Sequence, residues 1–327
     1  MKRAQFTIAA VIFGFLLAGF WAEVRRLDLT ASIGGHITST FLSFALLLAV
    51  EWFFAFGLAE SIVQRLGTSS ARQQVTLRCL APSVLVLPYL VFAIPRGALD
   101  FRYAAAMAIL PVILAVIIES TQRSQTFLLQ DAVVLITLAV ILELRLLSPA
   151  WPFIGLGALP KIYLADVALY LYLVNRRLGG VGYSFLPRPT AFFIGIREWL
   201  FFLPLALGLG FALHFIKFFP RIPSALHVVT ALLVVFLLTA VPEELFFRGI
   251  LQNLLEPRLG PKLALAITAT LFGLSHFSKG ATFNWRYVIL ATIAGVFYGR
   301  AWQAKKQLLA SSTTHTLVDV VWGLWFR

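Results

Sequence analysis

The chain is poor in charge and poorer still in acids. Charged residues make up 13% of its 327 positions, with 14 Asp plus Glu against 27 Lys plus Arg. A soluble domain carries about a quarter charged residues, so a water-facing surface over the whole chain is excluded. Cys79 is the single cysteine, which excludes an intrachain disulfide and a cysteine metal site. No long polar stretch interrupts the apolar ones, so no soluble domain is inserted. The net charge of +13 brings no basic stripe with it. Bases come as ones and twos between apolar runs, as in Arg65, Arg72 and Arg78 or Lys305 and Lys306. That scatter excludes a nucleic-acid face and fits loops held against anionic lipid headgroups.

What is abundant is apolar sequence: 60% of residues are hydrophobic. Runs of membrane-spanning length recur from end to end. They are continuous rather than alternating, which argues for helices and against a β-barrel. The expected fold class is therefore all-α: a polytopic transmembrane helical bundle of about ten or eleven membrane segments. These lie near 5–21, 37–58, 80–95, 103–118, 128–147, 150–174, 191–213, 224–242, 263–277, 285–301 and 308–324. Lys2 and Arg3 before a stretch reaching about Phe20 resemble a signal peptide. With so many spans following, that stretch reads as an uncleaved first helix. Counting Lys and Arg in the loops favours an inside N-terminus by a small margin.

Ionisable residues divide the chain. In the first half they are spread out: Glu51, Asp131, Glu143, Arg145 and Asp166. After residue 240 they cluster at helical spacings. This predicts an accessory N-terminal transmembrane region at 1–190 and a working unit at 191–327.

The densest cluster is Val241-Pro242-Glu243-Glu244-Leu245-Phe246-Phe247-Arg248-Gly249, directly after an apolar run. A charged group at membrane depth costs about 2.5–3.5 kcal/mol on insertion scales, so three in six residues need a reason. Glu244 and Arg248 are i,i+4 and can pair on one helix face. Glu243 is rotated by about 100° from its neighbour and can point elsewhere. Pro242 frees a backbone carbonyl one turn back. The next element is Phe272-Gly273-Leu274-Ser275-His276, on a short apolar segment bounded by Pro261 and Gly280. The third is His315-Thr316-Leu317-Val318-Asp319, with His315 and Asp319 again i,i+4. Between them Gly295 and Gly299 form a small-xxx-small spacing that permits close helix packing. Peptide hydrolysis needs an activated water and a partner for the oxyanion. Glu243 with His276 can hold the water, while His315 and Asp319 can polarise the carbonyl or orient the site. Taken singly, the acid pair also reads as a solvated helix start, His276 as a packing residue, and His315 with Asp319 as a structural pair.

Together these residues resemble the CPBP family of intramembrane proteases, which includes the CAAX prenyl endopeptidases and bacteriocin-linked proteins. The family pattern EExxxR, FxxxH and HxxxN or HxxxD is met by Glu243-Glu244-x-x-x-Arg248, Phe272-x-x-x-His276 and His315-x-x-x-Asp319. The resemblance covers about 225–325. It implies Glu243 and His276 as the water-activating pair, and His315 and Asp319 as the oxyanion or supporting pair. Glu244 and Arg248 follow as stabilising partners, with Phe272 in support. The last position is Asp319 rather than Asn; an ionised Asp repels an oxyanion, so Asp319 is expected either to be protonated or to orient His315. No HExxH occurs on a helix. The expectation is a glutamate-activated water with no cofactor, the alternative being zinc on Glu243, His276 and His315.

Other polar residues are weaker candidates. Arg197 and Glu198 either extend the site or pair within the bundle. Glu51, Asp131 and Asp166 either line a wet path or make interhelical hydrogen bonds. His227 precedes Glu243 by sixteen residues, about 24 Å along an unbroken helix, and is left out of the site. The expected partners are membrane lipids and a membrane-anchored or hydrophobic polypeptide substrate, with no nucleic acid. The resemblance further implies a bacterial inner membrane as the location. Rival functions are a proton-coupled transporter and a non-catalytic immunity or scaffold protein.

Overall fold

The computed structural model describes residues 3–66, 70–277 and 283–326. Lys2 and Gly280 lie outside them. The described chain is helical, and its one β-bridge joins Phe218 to Phe326. Among the described residues six helical stretches are long and apolar enough to cross a membrane: Gln5–Arg26, Ile37–Ala55, Ala71–Arg96, Phe101–Glu119, Pro189–Ala212 and Ala225–Leu274. This is a polytopic helical bundle and an integral membrane protein.

The chain forms two compact units. The first comprises Met1–Ser124 and Leu128–Leu178. Its helices are α1 (Arg3–Arg26), α2 (Ile37–Ala55), α3 (Leu58–Leu66), α4 (Ala71–Leu80), α5 (Leu87–Ala93), α6 (Phe101–Glu119), α7 (Leu129–Glu143) and α8 (Leu159–Leu169). Apolar side chains on α2, α5, α6 and α8 make its core, with Leu47, Leu48, Met107, Ile162 and Leu169 fully buried.

Charge inside this unit is mostly neutralised locally. Arg78 binds Glu119 at 2.5 Å, and the Asn175 amide donates to the same carboxylate at 2.9 Å. Asp131 accepts from the Leu128 amide at 2.8 Å and meets Arg176 at 3.1 Å, both side chains wholly buried. Asp131 therefore serves as a helix-start and ion-pair residue. Glu51 and Asp166 are also wholly buried, near enough for the charge of one to act on the other. Glu143 and Arg145 are both exposed.

The second unit comprises Gln125–Phe127 and Gly179–Arg327. It contains α9 (Pro189–Ala212), α10 (Ala225–Val235), α11 (Val241–Glu244), α12 (Asn253–Leu274), α13 (Trp285–Lys305) and α14 (Leu308–Trp325). α11 is four residues long and sits between two π-helical stretches, Phe236–Ala240 and Leu245–Gln252. Pro242 explains the first of them. A proline ring clashes with the carbonyl four residues back, here that of Leu238, and the wider π turn relieves the clash. Such π turns inside helices recur at functional sites. The expected continuation of the eighth segment through 243–255 is present, but in this π form.

α12 breaks at Gly260, whose φ of 75° and ψ of 163° lie in a region essentially restricted to glycine. Pro261 then starts the second half, where a missing N–H costs nothing. α13 packs on α12, α14 and α9, and α14 also packs on α9. Close approach depends on glycine. A Cβ on Gly273 would collide with Thr292, and one on Gly299 with Leu265 and Gln252. A Cβ on Gly195 would meet the Ala310 carbonyl and Thr313, so α9 and α14 also touch nearly backbone to backbone.

Candidate active site

α11 and the π turn after it carry the acids and the arginine. Glu244 and Arg248 are wholly buried and pair at 2.9 Å. The second arm of the Arg248 guanidinium donates to the Gly295 carbonyl at 3.0 Å. Its flat face lies 4.5 Å from the centre of the Phe272 ring and 5.2 Å from that of Tyr298. A buried guanidinium is tolerated only when paired and hydrogen-bonded, and here one carboxylate, one carbonyl and three aromatic rings, that of Phe247 at 5.7 Å included, share it.

His315 joins the three sequence motifs. Its Nδ1 donates to the same Glu244 carboxylate oxygen that Arg248 binds, at 2.9 Å. Its Nε2 lies 3.5 Å from an Asp319 oxygen and 3.8 Å from a Glu243 oxygen. The imidazole thus stands between two acid positions. Nδ1 faces the buried Glu244, and Nε2 faces Glu243 and Asp319. Tyr298 stacks on the ring at 4.5 Å, only 14° from parallel, and Phe272 meets it edge-on at 5.6 Å.

His276 lies just beyond the end of α12, in a turn closed by its amide on the Gly273 carbonyl. Its Nδ1–H donates to the Phe272 carbonyl at 2.8 Å. A donor committed at Nδ1 leaves Nε2 as the ring's acceptor nitrogen. Phe272 packs against both histidines, 4.8 Å from His276 and 5.6 Å from His315.

A cavity of about 90 Å³ opens beside these groups, lined by His276, His315 and Asp319. A water needs about 10–15 Å³ of such space, so several fit. The remaining wall is almost entirely apolar, with Trp199, Phe202, Phe215, Leu290 and Trp322 among its residues.

The structure therefore brings Glu243, Glu244, Arg248, Phe272, His315 and Asp319 into one connected cluster, with His276 on the same cavity. Among the described residues no three His, Cys, Asp or Glu side chains gather where they could hold a metal ion.

Arg197 and Glu198 are not part of the cluster. Glu198 is buried, accepts from Arg197 at 2.7 Å, and meets Arg300 of α13 at 3.2 Å. It is a bundle pair. His227 is exposed at the start of α10. Two tyrosines at the cavity, Tyr287 and Tyr298, have no counterpart in the motif reading. The signal for Tyr298 was its place between Gly295 and Gly299, one helix turn of which faces α12.

Residues 225–321 match the family model described as Type II CAAX prenyl endopeptidase Rce1-like. No curated protein and no solved structure matches the chain. The matched stretch holds all seven residues of the three motifs, and through it this region of the chain is similar to the CAAX-type endopeptidases among the CPBP-family intramembrane proteases.

Proposed function

We propose that the protein hydrolyses a peptide bond of a membrane-associated polypeptide by glutamate and histidine activation of water. The observation that carries this is the position of His315. One ring nitrogen is tied to the buried Glu244 and the other faces Glu243 and Asp319, while His315 and Asp319 themselves line a cavity with room for water.

Glu243 is the base. It is less buried than Glu244, with 12% of its side chain exposed against none. It is not the carboxylate that neutralises Arg248 at 2.9 Å. His276 presents Nε2 to the same water. The water oxygen bonds to the carbonyl carbon, Glu243 takes its proton, and the carbonyl electrons move onto oxygen. Glu243 then returns the proton to the leaving amine as the C–N bond breaks. Glu244 and Arg248 act through His315, holding its Nδ1 so that Nε2 stays aimed at the reacting centre.

The route proceeds without a metal cofactor. The apolar cavity wall suits a hydrophobic or lipid-modified segment delivered from the bilayer, so membrane lipids and a membrane-anchored polypeptide are the proposed partners. The proposed location is a bacterial inner membrane.

The test is cleavage of a library of hydrophobic peptides by the purified full chain in lipid nanodiscs, beside Glu243→Gln. Loss of about 10²–10⁴-fold in kcat, the usual worth of a general base, with unchanged thermal unfolding, supports the reading. A Glu243→Gln protein that still cleaves at the wild-type rate overturns it.

A further inference from the structure

Asp319 leaves the oxyanion short of donors. Stabilising a developing negative charge takes hydrogen-bond donors aimed at it, and an ionised carboxylate offers only acceptors. His315 has one nitrogen for this purpose, since Nδ1 already donates to Glu244 at 2.9 Å, and that nitrogen donates only when the ring is the imidazolium, a form the surrounding Glu244, Glu243 and Asp319 favour.

A second donor lines the same cavity. Tyr287 stands in the first turn of α13, whose start is held by the Asn284 side chain accepting from the Tyr287 amide at 3.2 Å. Its half-buried ring is clamped on three sides. It meets His276 edge-on at 4.8 Å, Trp322 edge-on at 5.2 Å, and Phe215 at 5.4 Å. Tyr287 lines the cavity together with His276, His315 and Asp319, so its phenol shares the space where a substrate carbonyl would meet those groups. Tyr298, the other cavity tyrosine, is stacked flat on His315 and serves to orient that ring.

We infer that Tyr287 is a further catalytic residue whose O–H donates to the scissile carbonyl oxygen, supplying the hydrogen bond that a carboxylate at 319 cannot. The inference rests on the proteolytic reading given above. As water attacks, the C=O electron pair moves onto oxygen and is met by the Tyr287 O–H and the Nε2 side of His315. The pair returns when the C–N bond breaks. Tyr287 keeps its proton throughout, while Glu243 carries the transferred one.

The experiment compares wild type, Glu243→Gln, Tyr287→Phe, Asp319→Asn and the Tyr287→Phe/Asp319→Asn double variant in nanodiscs on one cleavable peptide. Tyr287→Phe removes only the hydroxyl and keeps the three ring contacts. The expected result is a fall in kcat of about 10²–10³-fold, the usual worth of one oxyanion donor, with KM and the unfolding temperature unchanged. The double variant then regains at least tenfold, because an Asn amide restores a donor. In a further variant, a difluorinated tyrosine at 287, whose phenol is more acidic, moves the alkaline limb of kcat to lower pH. A purely structural role would move neither the rescue nor the limb.

Full kcat in Tyr287→Phe with Glu243→Gln inactive overturns the Tyr287 assignment and leaves the protease reading standing. An unrecovered double variant, or an unmoved alkaline limb, also overturns it. A wild-type protein that cleaves no peptide removes the reading and this inference together.

Discussion

The Nδ1 of His315 and a carboxylate oxygen of Glu244 are 2.9 Å apart, although 71 positions of chain separate the two residues. Arg248 binds that same oxygen at 2.9 Å. A single buried carboxylate thus serves two donor groups, the Arg248 guanidinium and the His315 imidazole. Its sister Glu243 lies at the other ring nitrogen. Adjacent glutamates with opposite duties follow from helix geometry, because consecutive side chains leave the axis in different directions.

Breaking the buried pair from one side leaves an uncompensated charge. Arg248→Met is expected to destabilise the protein by about 3–5 kcal/mol. Glu244→Gln should do likewise and in addition misdirect His315. Both are measured by equilibrium unfolding in mixed micelles. The double substitution should cost clearly less than the sum of the singles, since neither charge is then left alone. Strict additivity would show that the pair is not the stabilising unit.

Close packing of α12 on α13 predicts a second outcome. A side chain at Gly299 meets Leu265 and Gln252, so Gly299→Leu is expected to cost about 1–3 kcal/mol through overpacking. It should also lower activity by shifting α13 and with it Tyr298. Replacement by Leu at Gly14, where a Cβ meets nothing within 4 Å, provides the comparison. Equal unfolding midpoints for the two variants would count against helix contact as the reason for the glycine.

Metal removal separates the two chemical routes. Cleavage by the full chain is expected to continue at the untreated rate after prolonged exposure to a strong zinc chelator and dialysis. Activity that disappears with the chelator and returns on adding zinc would replace the glutamate-water route by a metal-assisted one.

Arg197 and Arg300 give a test of where the site stops. Each is about half exposed and shares the buried Glu198. Partly exposed ion pairs contribute about 0–1 kcal/mol, and the remaining arginine still neutralises Glu198. Arg197→Gln and Arg300→Gln are therefore expected to leave kcat/KM within a few-fold of wild type and to move stability only slightly. A hundredfold loss of kcat/KM in either would place that arginine on the substrate.

Much of this architecture is legible along the chain because it is local. Continuous apolar runs announce helices in a membrane, since only a helix or a closed barrel satisfies its backbone there. The Glu244–Arg248 pair is an i,i+4 relationship, and Gly295 with Gly299 is another; both are found where helical spacing places them. Less legible are features that depend on small departures from regular geometry. Nothing in the pattern Val241-Pro242-Glu243-Glu244 states that π turns flank it on both sides. Nor does Phe272-x-x-x-His276 reveal that the helix ends at Leu274, leaving His276 in a turn.

The composition and helical spacings settle the class of molecule and nominate the reacting groups, because burial of charge in lipid is too costly to occur in clusters by accident. They do not say which acid each histidine meets. That assignment depends on where α14 lies against α11 and α9, and the contact of Gly195 with Ala310 and Thr313 sets it. The rings of Phe272, Tyr287 and Tyr298 come from two helices, Phe272 from α12 and both tyrosines from α13, and carry no shared period. Their convergence on the two imidazoles is a product of side-chain packing between helices, and packing is a property of the assembled bundle rather than of any one segment.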